Sequence, residues 1–131
     1  MAIELQILAW TLVLALVHIF AAAVAKARQY GAEWSAGPRD EEMPPLKPFA
    51  GRLVRAQINL FETLPLFAAA VMIVVMAGRT SIDTALGVQL YFWSRVLFLP
   101  VYVLGIPYLR SVVFSVSLLG LGLVLLACLA G

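Results

Sequence analysis

The sequence predicts an all-α integral membrane four-helix bundle, and three observations support this fold class. The chain has 131 residues, of which 63% are hydrophobic and only 12% are charged, whereas soluble domains are about 45–50% apolar and about 25% charged. Its apolar residues form four stretches, each close to the roughly 20 residues that a helix needs to cross a bilayer. None of these stretches has the alternating pattern of a membrane β-strand.

The four predicted spans belong to a single domain, residues 1–131, with approximate limits 3–28, 50–77, 82–104 and 108–130. The first span is predicted to stay in the mature protein and not to be a cleavable signal peptide, because its start "MAIELQ" has no positive charge and its apolar run exceeds about 7–15 residues. The short links "GRTSID" and "GIPYLR" predict antiparallel neighbouring helices, and Ser81 or Thr80 is expected to cap the third span. The longer first loop is rich in Gly and Pro and is predicted to be non-helical.

Lysine and arginine are distributed unequally among the loops. Most lie in or beside the first loop, and Arg110 follows the third span, whereas the second loop contains Arg79 alone. Because cytoplasmic loops carry an excess of these residues, the first and third loops are expected to face the cytoplasm of a bacterial inner membrane, with both termini outside. The net charge of +2 is too small to predict a nucleic-acid partner.

Polar residues interrupt the second span within "VRAQINLFETLPLF". Arg55, Asn59 and Glu62 fall at i, i+4 and i+7, so they share one face of a helix. A charge near the bilayer centre costs about 2.5–3.5 kcal/mol even on a lenient scale, and such residues therefore turn away from lipid, pair with one another or mark a functional site. This face is expected to point into the bundle or into a site.

The third span has a comparable stripe, formed by Tyr91, Arg95, Phe98 and Tyr102. Arg95 requires an anion, and we predict that it pairs with Glu62, within one chain or between chains. Two interpretations stay open. The polar groups either lock the helices together, with contacts worth about 0.6 kcal/mol on average, or bind a ligand. The excess of arginines over acids favours a ligand with a carboxylate or a thiolate.

The segment "RAQINLFETLPLF", residues 55–67, strongly resembles the second-helix signature of the MAPEG family, membrane-associated proteins in eicosanoid and glutathione metabolism. That signature runs approximately R-A-x-x-N-x-x-E-x-x-P-x-F. The resemblance extends to "GPRDE" in the first loop and to "SRVLFLPVYVLGIPYLRSVVF", and it covers nearly the whole chain. It implies a short, bacterial-type member whose left-handed four-helix bundle assembles as a homotrimer, with three glutathione sites between subunits that open toward the cytoplasm.

The same resemblance implies an activity, a glutathione-dependent transferase or peroxidase that acts on hydrophobic or lipid electrophiles without a metal. Arg110 is the implied catalytic residue, because a guanidinium beside the thiol of glutathione lowers its pKa from about 8.5. The implied glutathione-binding residues are Arg55, Asn59, Glu62, Arg95, Tyr102, Gln57, Ser111 and either Arg28 or Lys26, between which spacing does not decide.

The chain departs from the family pattern at two positions. Leukotriene synthase-like members have a tyrosine directly after the glutamate, where this chain has Thr63, and prostaglandin E synthase-like members have a tyrosine three residues after the serine, where it has Phe114. Eicosanoid synthesis is therefore not predicted. The alternative function is a non-catalytic lipid-binding or scaffold protein, whereas a transporter is disfavoured because no repeat or discontinuous helix pair is evident.

The remaining notable residues predict packing roles. His18 has no His, Cys or acid at metal-ligand spacing, so a packed or hydrogen-bonded histidine is expected. Gly120 and Gly122 are expected to allow close helix packing, and the lone Cys128 excludes an intramolecular disulfide.

Overall fold

The computed structural model describes residues 1–130, and within them the chain forms five helices and no strand. Their bounds are α1 Ile3–Tyr30, α2 Ala32–Ala36, α3 Pro48–Met76, α4 Ile82–Val103 and α5 Leu109–Leu129. The four long helices, α1, α3, α4 and α5, are long and apolar enough to cross a membrane. The predicted all-helical architecture with four membrane-length helices is thereby confirmed.

The first loop contains a short helix, α2, and the prediction of a non-helical loop is wrong for these five residues. Gly31, with a φ of 98°, separates α1 from α2 in a conformation that glycine adopts without steric cost. Beyond α2, Gln29 holds the returning chain against the end of α1. Its side chain donates a hydrogen bond to the Pro45 carbonyl at 3.1 Å and accepts one from the Lys47 backbone N–H at 2.8 Å.

Helices α4 and α5 approach each other closely at a pair of glycines. A Cβ added to Gly120 would lie 2.5 Å from the Gly87 carbonyl oxygen, and one added to Gly87 would lie 2.8 Å from the Gly120 carbonyl oxygen. Small residues allow this backbone contact between membrane helices. The packing role of Gly120 is therefore confirmed. Gly122 takes no part in close packing within one chain, because a Cβ there meets no atom within 4 Å.

The middle of the bundle is an apolar core with one hydrogen-bonded aromatic pair. Phe67 of α3 and Tyr91 of α4 stack with their ring centroids 3.9 Å apart. The Tyr91 hydroxyl, which has no exposed surface, shares a hydrogen bond of 2.8 Å with the Thr63 hydroxyl. This bond gives the buried Tyr91 hydroxyl a partner, and the Thr63 hydroxyl also lies 3.2 Å from the Leu60 carbonyl oxygen, to which it can donate.

The second-loop end of the bundle, where the second loop meets the start of α1 and the end of α5, is held by side-chain hydrogen bonds. Ser81 accepts a hydrogen bond from the Thr84 backbone N–H at 3.3 Å, which confirms the predicted cap of α4. The Thr84 hydroxyl donates to the buried carboxylate of Glu4 at 2.9 Å. Arg79 donates to the Cys128 carbonyl at 2.7 Å. These contacts tie α1 and α5 to the second loop.

Candidate functional site

Three helices bring two arginines and a tyrosine together at the opposite end, which we call the first-loop end. Arg55 of α3 donates a hydrogen bond from Nε to the Tyr102 hydroxyl of α4 at 3.0 Å. The guanidinium carbon of Arg110, in the first turn of α5, lies 5.5 Å from the centroid of the Tyr102 ring, within cation–π range. We call these three residues the Tyr102 cluster.

The charge of the Tyr102 cluster is not balanced within the chain. In residues 1–130, Arg55 and Arg110 make the contacts with Tyr102 just described and form no ion pair with a carboxylate. Both arginines are exposed on the surface of the chain. Two guanidiniums close to one phenol therefore leave several N–H donors free for an anionic group.

The turn between α4 and α5 places Arg110 beside Tyr102. Gly105 has a φ of 72° and Tyr108 a φ of 63°, and a positive φ at a residue other than glycine is a strained conformation that clusters at functional sites. Arg52 fixes the turn to α3, because it donates to the Val103 carbonyl at 3.3 Å. Glycine suits position 105 because of its positive φ, and the guanidinium of Arg52 packs closely against it, 2.8 Å from where a Cβ would lie.

Asn59, one turn beyond Arg55 on α3, is the hydrogen-bond partner of Arg95. Its Oδ1 accepts a hydrogen bond from Arg95 Nη1 at 2.7 Å. The guanidinium of Arg95 also lies over the ring of Phe98, with its carbon 4.4 Å from the ring centroid. Because Oδ1 is occupied, the amide nitrogen of Asn59 is the group that remains free to contact a ligand.

The predicted ion pair between Arg95 and Glu62 does not form within one chain. Arg95 is fully buried, whereas Glu62 lies on the exposed surface of α3. In residues 1–130 the side chain that binds Arg95 is the neutral amide of Asn59 and not a carboxylate. The pairing within one chain is therefore wrong. A pair between chains remains a prediction.

Burial also determines how Arg95 relates to the Tyr102 cluster. Arg95 has no exposed surface, so it does not contact the outside of the chain directly. It is linked to the surface by its hydrogen bond to Asn59. Its Nε and Nη2 atoms, like Nε2 of His18, are buried and have no hydrogen-bond partner in residues 1–130. His18 itself is 1% exposed, and its Nδ1 lies 2.9 Å from the Leu14 carbonyl oxygen, which confirms the expected packed and hydrogen-bonded histidine.

The other predicted site residues are dispersed over one chain. Ser111 is exposed beside Arg110, and Gln57 is partly buried on the side of α3 away from Arg55. Arg28 and the partly buried Lys26 lie near the end of α1, where Arg28 lines a groove between α1 and α3. A single chain thus brings together Arg55, Tyr102 and Arg110, with Asn59 and Glu62 further along the same face of α3.

The sequence did not single out Arg52, Gly87 or Glu4. Arg52 lies near the start of α3, and its side chain holds the end of α4 through the Val103 carbonyl. Arg52 lies three residues before Arg55 and therefore near the same helix face. This spacing is the one local feature of the sequence that indicates Arg52.

Four membrane-length helices with a basic and phenolic cluster at one end define a helical membrane protein with a polar surface site. Comparison with protein-family models then identifies the family. The model described as MAPEG family matches residues 7–130, nearly the whole chain, and the chain belongs to that family. The resemblance drawn from "RAQINLFETLPLF" is thereby confirmed. Searches of curated proteins and of solved structures found no match to the chain.

Proposed function

We propose that this protein is a membrane-bound, glutathione-dependent transferase or peroxidase that acts on hydrophobic electrophiles. Membership of the MAPEG family supports the general class. The observation that carries the proposal is the convergence of Arg55 and Arg110 on Tyr102 without a paired carboxylate in residues 1–130. Exposed, unpaired guanidiniums at the end of a membrane bundle suit a carboxylate or thiolate ligand.

The hydrogen-bonding groups on this face match the chemistry of glutathione. Tyr102 accepts from Arg55, so its own O–H proton is free to donate, and Asn59 presents its amide N–H groups because its oxygen is bound to Arg95. Glu62 adds one exposed acceptor on the same face. Glutathione carries carboxylates and amide carbonyls for the donors and a single ammonium group for the acid.

The proposed mechanism rests on the charge of Arg110. A free thiol has a pKa near 8.5, and a nearby guanidinium stabilises the thiolate and lowers that pKa. The thiolate sulfur then forms a bond to an electrophilic carbon while the leaving group departs with the bonding electrons. With a lipid hydroperoxide, the sulfur attacks the terminal oxygen, the O–O bond breaks and the lipid leaves as an alkoxide that is protonated to the alcohol. The sulfur is thereby oxidised to a sulfenic acid, which a second glutathione reduces by forming the disulfide and releasing water.

A homotrimer, which the family resemblance implies, forms part of the proposal. Arg55 and Glu62 are exposed on a helix that is apolar enough to cross a membrane. An exposed charge within a bilayer is unfavourable by several kcal/mol unless protein or water covers it. Assembly that covers this face of α3 removes that penalty and places ligand sites between subunits.

A titration of glutathione into the purified protein by calorimetry tests the proposed ligand. We expect saturable binding that Arg55→Ala and Glu62→Ala each weaken about tenfold to a hundredfold, the effect of losing a hydrogen bond to a charged group. Arg39→Ala is the matched control, since it removes an exposed arginine of the first loop that stacks on Trp34 and lies outside the Tyr102 cluster. Absence of binding to the unaltered protein would contradict the proposal.

The role of Arg110 is tested by ultraviolet absorbance of the thiolate after rapid mixing with glutathione, repeated over a range of pH. The bound thiol is expected to ionise below its free pKa of about 8.5. Because the thiolate is the reactive form, Arg110→Met is expected to move both ionisation and turnover to higher pH, whereas Arg110→Lys retains part of the shift. Identical pH profiles for all three proteins would exclude this role.

One observation favours the second candidate function, a non-catalytic lipid-binding or scaffold protein. Thr63, at a position where some family members have tyrosine, is buried and bonded to Tyr91. Phe114, at the other such position, is half-buried beside Arg95 and Phe98. A scaffold protein is expected to bind glutathione, if at all, without ionising its thiol.

A further inference from the structure

Three nitrogen atoms inside the bundle are buried and have no hydrogen-bond partner in residues 1–130. They are Nε and Nη2 of Arg95 and Nε2 of His18. Arg95 has no exposed surface and His18 is 1% exposed, so bulk water does not reach these side chains. Buried polar groups in folded proteins nearly always have a partner, and these three atoms therefore require one.

His18 of α1 and Arg95 of α4 lie at the same depth in the bundle. The hydrogen bond between Gln29 and the Lys47 backbone N–H places the end of α1 level with the start of α3. His18 lies 11 residues before Gln29, and Asn59 lies 12 residues after Lys47, so both are about 16–18 Å from that contact. Asn59 is bonded to Arg95. At this common depth, the charge of Arg95 acts on the His18 ring.

The hydrogen bond that His18 makes within α1 determines what its other ring nitrogen can do. Nδ1 lies 2.9 Å from the Leu14 carbonyl oxygen, and a carbonyl oxygen only accepts, so Nδ1 carries the ring proton. A second ring proton would add a positive charge beside that of Arg95 in the interior of the bundle, where charges are weakly screened. The imidazole is therefore neutral, and Nε2 is a hydrogen-bond acceptor.

The unpaired atoms are thus complementary, although in residues 1–130 they are not bonded to each other. Arg95 offers N–H donors, and His18 offers a lone pair. The group that links them must accept from the first and donate to the second. An anion would repel the lone pair of His18, and a cation would be repelled by Arg95. Water has both functions, and a buried water typically makes about three hydrogen bonds to such groups.

We propose that the interior of the bundle binds one structural water molecule that bridges Arg95 and His18. The Nε and Nη2 atoms of a guanidinium donate along the same edge, so both can donate to the water oxygen, while one O–H of the water donates to His18 Nε2. Together with the bond from Nη1 to Asn59, this gives every nitrogen of Arg95 a partner. His18 is then a positioning residue that holds Arg95 in the orientation that binds Asn59.

The proposed water lies within one chain and not between chains. The nitrogen atoms that it would contact are buried before any second copy is present, so a carboxylate of another subunit reaches them only if side chains move. Assembly that covers the exposed face of α3 therefore leaves the water in place.

Nitrogen NMR of the imidazole tests the water directly, because His18 is the only histidine of the chain and its two ring nitrogens give unambiguous signals. Protein with isotopically labelled histidine is measured in bilayers without glutathione. We expect a protonated Nδ1, an unprotonated Nε2 and transfer of magnetisation from water protons to Nε2. A protonated Nε2 would overturn the proposal. An unprotonated Nε2 without transfer from water would also overturn it, in favour of a direct contact with Arg95.

Unfolding of variants in detergent tests whether the water couples the two residues. His18→Leu is expected to lower the midpoint of thermal unfolding by about 5 °C, whereas His18→Gln keeps an acceptor and most of the stability. In an Arg95→Met background, His18→Leu is expected to have little further effect, because the water has already lost its donors.

Thr11→Val is the matched control on α1. The Thr11 hydroxyl is buried and donates to the Ile7 carbonyl of its own helix, so its removal is expected to have the same effect with or without Arg95→Met. An equal effect of His18→Leu in the two backgrounds would contradict the bridging water. Because glutathione is absent from both experiments, their outcomes are independent of the proposed function.

Discussion

Arg95 carries a positive charge, yet none of its surface is exposed. A buried charge is tolerated only when hydrogen bonds and nearby groups compensate for lost hydration. Asn59 supplies the hydrogen bond, and the face of Phe98 supplies a cation–π contact. Asn59 thus has two roles, since it satisfies Arg95 on the inside and presents its amide nitrogen on the outside.

Substitution of Asn59 tests this arrangement. Asn59→Ala removes the hydrogen bond to Arg95 and is expected to lower the free energy of unfolding by about 1.5–3 kcal/mol, because a buried charged group loses its hydrogen-bond partner. Asn59→Asp keeps the acceptor and adds an anion, so it is expected to retain most of the stability. Both effects are measurable by chemical or thermal unfolding of the protein in detergent.

Glu62→Gln is the matched control on the same face of α3. Glu62 is exposed and has no ion-pair partner in residues 1–130, so its substitution is expected to change stability by about 0.5 kcal/mol or less. A loss as large as that of Asn59→Ala would show instead that Arg95 depends on Glu62 of another chain.

Helical periodicity was enough to place Arg55, Asn59 and Glu62 on one face, because the spacing of residues along a helix is a local property. It was not enough to identify the partner of Arg95. Which residue of α3 contacts Arg95 depends on the axial position of α3 relative to α4, which is set by tertiary packing. In the folded chain this position brings Asn59 to Arg95. The family resemblance implies that Arg55, Tyr102 and Arg110 belong to one site, but spacing along the chain does not indicate that both arginines contact the same tyrosine.

Among the helices, the contact of α4 with α5 depends on the absence of side chains at two positions. Gly87 and Gly120 allow each backbone to touch the other, and this contact aligns α5 so that Arg110 lies over Tyr102. Apolar length predicted the four long helices well, since hydrophobicity along the chain determines where a span begins and ends. It missed α2, whose single short turn lies in a segment with loop composition.

Alanine substitutions at neighbouring glycines of α5 test the importance of this contact. Gly120→Ala places a Cβ 2.5 Å from the Gly87 carbonyl oxygen and is expected to reduce the free energy of unfolding by about 1–3 kcal/mol through overpacking. Gly122→Ala meets open space and is expected to be neutral or slightly stabilising. Equal unfolding curves for the two variants would mean that the close contact between α4 and α5 does not contribute to stability.

For the molecule as a whole, the Tyr102 cluster lies at the first-loop end, whereas the second loop carries Arg79 alone. The excess of positive charge at the first-loop end predicts that this end faces the cytoplasm. The Tyr102 cluster is therefore expected to open toward the cytoplasm.

Labelling of single cysteines in intact cells tests this orientation. In a Cys128→Ser background, Thr80→Cys places a thiol in the second loop and Glu41→Cys places one in the first, both at exposed positions. A membrane-impermeant maleimide is expected to label Thr80→Cys from outside and Glu41→Cys only after the membrane is opened. Labelling of Glu41→Cys in intact cells would reverse the predicted topology.

The Tyr102 cluster also bears on how the protein matures during synthesis. Its members stand at positions 55, 102 and 110, and a growing chain supplies its N-terminal segments first. A nascent bundle that has inserted α1 and α3 already holds Arg55, yet it has neither the phenol nor the second guanidinium until α4 and α5 follow. The cluster is therefore complete only at the end of membrane insertion, and partly assembled intermediates lack its paired guanidiniums.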